Sequence, residues 1–283
     1  MKNNRVLSFI IIGIIYAISI AIGIIIHNNL SFHFAINFLI ADVISTIIVF
    51  IFSLIFKNSS VYDPYWSVKP IVVVLGLAFT YQINIPRILA LIAILLWGVR
   101  LTLNWAYTFK NLNHQDWRYT MLKEKTGMFY PVINLLGIHI FPTVVVYLCM
   151  LPVMYLFNDI NNSINVFVIL FFIISVLAFA IQGIADYQMH KFRKNRNSTF
   201  IRNGLWKYSR HPNYLGEIMM WFGIAGLSIC SIGHSPWLFI GAIVNLLMFL
   251  FVSIPMAENH QKSRKEHFDE YKAQTRMLLP IKK

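Results

Sequence analysis

Between Trp206 and Glu217 the chain reads Trp-Lys-Tyr-Ser-Arg-His-Pro-Asn-Tyr-Leu-Gly-Glu, then runs directly into an apolar stretch, Ile218 to Ile232. Polar groups at a membrane boundary are costly unless they bind something. Basic, amide, phenol and carboxylate groups gathered there read as the lip of a buried site for an anionic guest. Arg202-Asn-Gly204 leads into it, and Gly204 suits a turn. Tyr208, Arg210 and His211 crowd the mouth. Asn213 and Glu217 stand one turn apart on one helix face, and the free N–H groups of a helix start attract anions. The simpler alternative has Glu217 doing no more than pairing a neighbouring arginine.

Other polar groups converge on the same chemistry. Gln182, Asp186, His190 and Arg193 recur at helical spacing and share one face at the end of an apolar run. Arg100 lies several residues inside another such run, where it must snorkel, pair, or meet a ligand anion. Asp63, in Tyr62-Asp-Pro-Tyr-Trp-Ser67, precedes a proline, which disfavours helix at that residue. It serves either as a helix cap or as an acid at the floor of a substrate cavity. In His114-Gln-Asp-Trp-Arg-Tyr119, Asp116 and Arg118 belong either to such a site or to a surface network. The tail residues Arg264, Lys265, Lys272 and Arg276 read as a solvated helix near anionic lipid heads, with His260 closest to the bilayer. The spacing offers no nucleophile–base pair, no metal-ligand cluster and no glycine-rich phosphate loop, so any nucleotide must bind between helices.

The elements that position these groups are membrane helices. Of 283 residues 58% are apolar and only 12% charged, about half the charged fraction of a soluble domain. The net charge of +13 does not point to nucleic acid, because the basic residues are confined to a few loops. Cys149 and Cys230 both lie in apolar runs and read as core residues. A bilayer core needs roughly 20 apolar residues as helix. Eight spans satisfy this, at 6–26, 33–56, 70–83, 86–108, 131–157, 164–189, 213–232 and 236–256. The third is short and begins at Pro70. Pro131, Pro142 and Pro152 punctuate the fifth. The loops after spans two, four and six and both termini hold 22 of the 24 Lys and Arg residues, leaving Arg87 and Arg100. Lys57 and Lys69 are assigned to the first of those loops. The positive-inside rule then places both termini in the cytoplasm. The expectation is an all-α polytopic membrane protein forming a single membrane domain over 1–283.

These motifs resemble the steroid 5-alpha-reductase-like membrane family, in particular its bacterial branch. The likeness sits in 131–283, in Gly204-Leu-Trp-x-Tyr208, Pro212-Asn-Tyr-x-Gly-Glu217, Trp221, Asp186 with Arg193, Phe268-x-x-Tyr271 and Leu278-Leu-Pro280. The segment 1–130 carries little of it. The resemblance implies an integral protein of a bacterial inner membrane with NADPH in a helix-lined pocket open to the cytoplasm. Asp186, Asn213, Tyr214 and Glu217 would hold the nicotinamide and ribose side, and Arg193 and His260 would approach the phosphates. Arg100 matches a cofactor-contacting arginine, and Gln182 stands where some members have Asn. Arg202, Tyr208, Arg210 and His211 complete the expected cofactor set. Family members polarise the substrate carbonyl with a Glu and a Tyr. Asp63, with Asp116, is the nearest acid and would have to be protonated, while no tyrosine counterpart stands out in the central span.

The implied reaction is reduction of a C=C bond in a lipid or steroid-like substrate. Membrane lipids and a lipophilic small molecule are the expected partners, with no obligate protein partner. Arg210-His211-Pro212-x-Tyr214 also fits membrane methyltransferases of the same superfamily, which bind S-adenosylmethionine. A non-catalytic lipid-binding protein is the remaining alternative.

Overall fold

The computed structural model describes residues 2–195 and 198–281. Arg196, Lys282 and Lys283, counted above among the basic residues, lie outside them. The protein is an all-helical polytopic membrane protein. Its helices are α1 Arg5–Asn29, α2 Phe34–Phe56, α3 Tyr65–Thr80, α4 Ile85–Thr108, α5 Trp117–Thr126, α6 Tyr130–Ile133, α7 Phe141–Asn158, α8 Val166–Lys194, α9 Pro212–Ile232, α10 Ile240–Met248, α11 Ile254–Lys262 and α12 Phe268–Gln274. Among the described residues there is no strand, only an isolated bridge between Ser209 and Arg276.

Among the described residues, seven helices or helix runs are long and apolar enough to cross a membrane, and they correspond to seven of the eight expected spans. The eighth, α3, has 16 residues and starts at Tyr65, running through Pro70 rather than from it. At about 24 Å it falls short of a full bilayer core. The fifth span is continuous but not uniformly α-helical, because a π-helical stretch, Asn134–Ile140, joins α6 to α7 ahead of Pro142. A second π stretch, Phe249–Ser253, joins α10 to α11.

Side-chain contacts divide the bundle into two ends. At one, Lys2 donates to the Phe56 carbonyl at 2.6 Å and Arg5 to that of Ala106 at 2.8 Å. At the other, Tyr81 bonds Asn158 at 3.2 Å and Asn165 donates to the Cys230 carbonyl at 2.8 Å. Arg87 belongs to this second end. It is buried there and donates to the carbonyls of Gln82, Leu156 and Asp159, closing the end of α7. The central core joins α3, α4, α7, α8 and α9 around Trp97, Trp221 and Phe157. Tyr16, Tyr62 and Tyr65 anchor a second core beneath the loop from 57 to 64.

One expectation changes. Lys69 is not a loop residue; it lies in α3, with its Nζ 3.4 Å from Asp42 of α2. Asp42 sits in the ninth position of that 23-residue helix.

Candidate functional site

The polar face foreseen on α8 exists, and it meets a matching face on α4. Trp97, Arg100 and Asn104 follow one another at steps of three and four, so they line up along α4. Arg100 Nη1 lies 2.6 Å from Asp186 Oδ2, and Arg100 Nη2 donates to Gln182 Oε1. One turn on, His190 Nε2 meets Asn104 Oδ1 at 2.7 Å. Glu217 enters from α9, and the Trp97 indole donates to both its oxygens at 3.0 and 2.8 Å. The Trp221 indole adds a third bond at 2.9 Å. Glu217 therefore takes its hydrogen bonds from indoles rather than from an arginine. Two donors inside the cluster, Arg100 Nε and Gln182 Nε2, are buried without an acceptor. A buried unpaired donor costs about 1–3 kcal/mol, so these atoms fit a guest that carries acceptor oxygens.

A second group forms where the loop after α2 meets α5. Tyr119 donates to Asp63 Oδ1 at 2.5 Å, although 56 residues separate them. Burial pushes the Asp63 carboxyl up to about 6, against the opposing pull of Arg118 and the Tyr119 hydrogen bond. Asp116 behaves differently. Burial raises its pKa, but the Arg118 charge and hydrogen bonds outweigh that and hold it below the usual carboxylate range. It caps α5 by accepting from the Arg118 amide at 2.9 Å, and it pairs the Arg118 Nε at 2.8 Å. Asp116 is thus ionised, contrary to the expectation of a protonated acid. Trp117 stacks on His260 with ring centroids 3.5 Å apart, docking α5 against α11. Tyr214, near the start of α9, lies within electrostatic range of Arg118 and Asp116. Asp63, Asp116, Tyr214 and His260 thus gather at one end of the bundle.

The remaining expected residues sit elsewhere. Arg210 is buried, and both its Nε and Nη2 lie 2.8 Å from Glu258 Oε1. It also donates to the carbonyls of Thr275 and Lys272. His211 reaches Glu258 at 3.2 Å and Lys272 reaches it at 2.9 Å. Arg202 bonds Gln274 at 2.5 Å and lies over the Tyr271 ring. Arg202, Arg210 and His211 therefore fasten the C-terminal tail to the bundle. A hollow of about 500 Å³ opens beside this lock, lined by Arg210, Lys272, Arg276 and Leu278 among others. Tyr208 is exposed under Lys207. Arg193 is exposed at the end of α8, within electrostatic range of Asp186. Asn213 is half-buried in the first turn of α9.

Sequence reading missed Trp97, Asn104, Tyr119 and Glu258 as partners. The first two carried a usable signal, their spacing from Arg100. Tyr119 and Glu258 had none, because their partners are remote in sequence.

No curated protein and no solved structure matches the chain. Residues 49–275, which carry the α4, α8 and α9 cluster and the Asp63–Tyr119 pair, match the family described as "Protein of unknown function (DUF1295)", and the chain belongs to that family.

Proposed function

We propose that the protein is a membrane oxidoreductase that reduces a C=C bond of a lipid-soluble substrate with NADPH. The observation that carries this reading is the pair of buried, unsatisfied donors, Arg100 Nε and Gln182 Nε2, inside the cluster of α4, α8 and α9. The motif resemblance in the C-terminal half supports the same assignment.

Arg100, Gln182, Asp186 and Glu217 would hold the cofactor, with Asn213, Tyr214 and His260 bordering it. Bound NADPH would supply a hydride to the activated double bond. Tyr119 and Asp63 supply the proton side of the reaction. In its protonated form Asp63 donates to Tyr119 Oη, which frees the phenol hydrogen for the carbonyl oxygen conjugated to that double bond. A proton held at Tyr119 Oη then offsets the negative charge that develops on the substrate oxygen. The apolar helices around the cluster keep water away from the reacting atoms.

The test is a titration of the detergent-purified protein with NADPH, read by nicotinamide fluorescence. Saturable binding is expected, weakened about tenfold in Arg100→Met, as befits loss of a charge-assisted hydrogen bond. Binding of S-adenosylmethionine without binding of NADPH would assign the protein to methyl transfer instead.

A further inference from the structure

We infer that the seam between α2, α3 and α7 binds the hydroxyl group of an apolar molecule that enters from the lipid. α2 and α3 both pack on α7 and make few contacts with each other. Asp42 and Lys69 bridge the seam between them. Asp42 lies about 12 Å from one end of α2 and about 21 Å from the other. An ion pair at that depth is costly unless its polar atoms are all satisfied.

They are not all satisfied. Lys69 Nζ donates to Ser45 Oγ at 3.2 Å, and Ser45 passes its own proton to the Ala41 carbonyl at 2.7 Å. Asp42 Oδ1 is buried and accepts no hydrogen bond, although Lys69 Nζ is only 3.4 Å away. Tyr65, on the same helix, stands one turn from Lys69, whose ammonium lies over its ring. Between the pair and the apolar walls formed by Pro70, Val73, Met150 and Met154 is a hollow of about 10 Å³, room for one water-sized group. The two charged side chains each keep 13% exposure, so the hollow has an open side.

These features select the guest. The pair is neutral as a whole, so a neutral guest fits. The hollow admits one heavy atom that must accept from Lys69 and donate to Asp42 Oδ1. A hydroxyl does both. A carbonyl or ether oxygen accepts only and leaves Asp42 unsatisfied. A carboxylate or phosphate is too large for the hollow and would face Asp42, while an ammonium would face Lys69. The apolar walls suit the chain attached to a lipid alcohol. None of this depends on the proposed cofactor, and neither does its test.

The experiment uses the full-length protein in nanodiscs of zwitterionic lipid, with a diazirine-tagged long-chain alcohol and its methyl ether as probes. After irradiation, adducts are mapped by peptide mass spectrometry. The expected result is labelling at Val73, Met150 or Met154 by the alcohol, displaced by excess untagged alcohol and about tenfold weaker with the ether, for loss of a hydrogen bond to a charged group. Lys69→Met should abolish it. So should Val73→Phe, which fills the hollow and leaves the ion pair in place, so that one folded variant suffices. Equal labelling by alcohol and ether, or adducts spread over the outer faces of α1 and α8, would overturn the inference and leave the hollow to a trapped water only.

Discussion

Tyr119 and Asp63 show how a residue's chemistry is set by what folding brings to it. A carboxyl left in water titrates near 4, whereas burial moves Asp63 to about 6. Because the folded-state value is the higher one, the protonated form favours the fold. This contribution to stability is complete below about pH 4 and is lost as pH rises through about 6. Infrared titration of the purified protein should therefore show a carboxyl band with a midpoint near 6 that disappears in Asp63→Asn. Arg118 holds the value down, so Arg118→Met should move the midpoint upward, by about 1 pH unit. A midpoint near 4 in the unaltered protein would remove the proton-donor role. If reduction needs protonated Asp63, turnover falls as pH rises through the same midpoint, and Tyr119→Phe lowers it about 100-fold or more. Asp63 was legible as a candidate acid through the family resemblance. A tyrosine partner was sought in the central span, whereas the tyrosine that bonds Asp63 lies on α5, after that span.

Two contacts between elements hold the polar cluster in place. α8 and α9 approach closely because α9 presents small residues to α8, the usual device where helices meet without water to drive them together. A Cβ added to Gly216 would stand 2.5 Å from Gln182 Cγ and 2.9 Å from the Ala178 carbonyl. Gly216→Ala should push α8 away, pull Gln182 off Arg100, and cost about 1–3 kcal/mol, visible as a lower melting temperature in detergent and weaker NADPH binding together. The tail lock is the other contact. Glu258→Gln leaves Arg210 buried beside a neutral partner, at a cost of about 3 kcal/mol. Limited trypsin digestion should then release the tail at Lys265 or Lys272, while the helical core survives. Unchanged digestion would mean that the lock is not what fastens α12. The spans themselves were readable, because a run of apolar residues leaves the backbone no alternative to helix in lipid. The π stretches at Asn134–Ile140 and Phe249–Ser253 were not readable, since an apolar run of this length does not distinguish a π turn from an α turn. The role of Arg210 was misread for a related reason. A motif shows that an arginine faces an anion, and here that anion is Glu258, 48 residues away.

Across the whole molecule, charge and contact geometry fix the path of the chain together. Lys2 on Phe56 and Arg5 on Ala106 put the N-terminus, the end of α2 and the end of α4 at one end of the bundle. α4 can finish there only if α3 carries the chain to the opposite end, so the 16-residue helix runs from one end of the bundle to the other. The loop from 57 to 64 packs against α2 on buried residues, including Tyr62. Trp117 on His260 and Arg210 on Glu258 bring the later loops and the tail to the same end. That end holds the basic loops, which predicts that it faces the cytoplasm. The check is single-cysteine labelling in a Cys149→Ser, Cys230→Ser background expressed in a bacterial inner membrane. A membrane-impermeant maleimide should reach Asn161→Cys and His234→Cys in intact cells, and Thr126→Cys and Ser263→Cys only after lysis. Labelling of Thr126→Cys from outside would invert the orientation. Labelling of Asn3→Cys and Ser263→Cys from opposite sides would mean that the chain crosses an odd number of times, and α3 would be the helix that fails to cross.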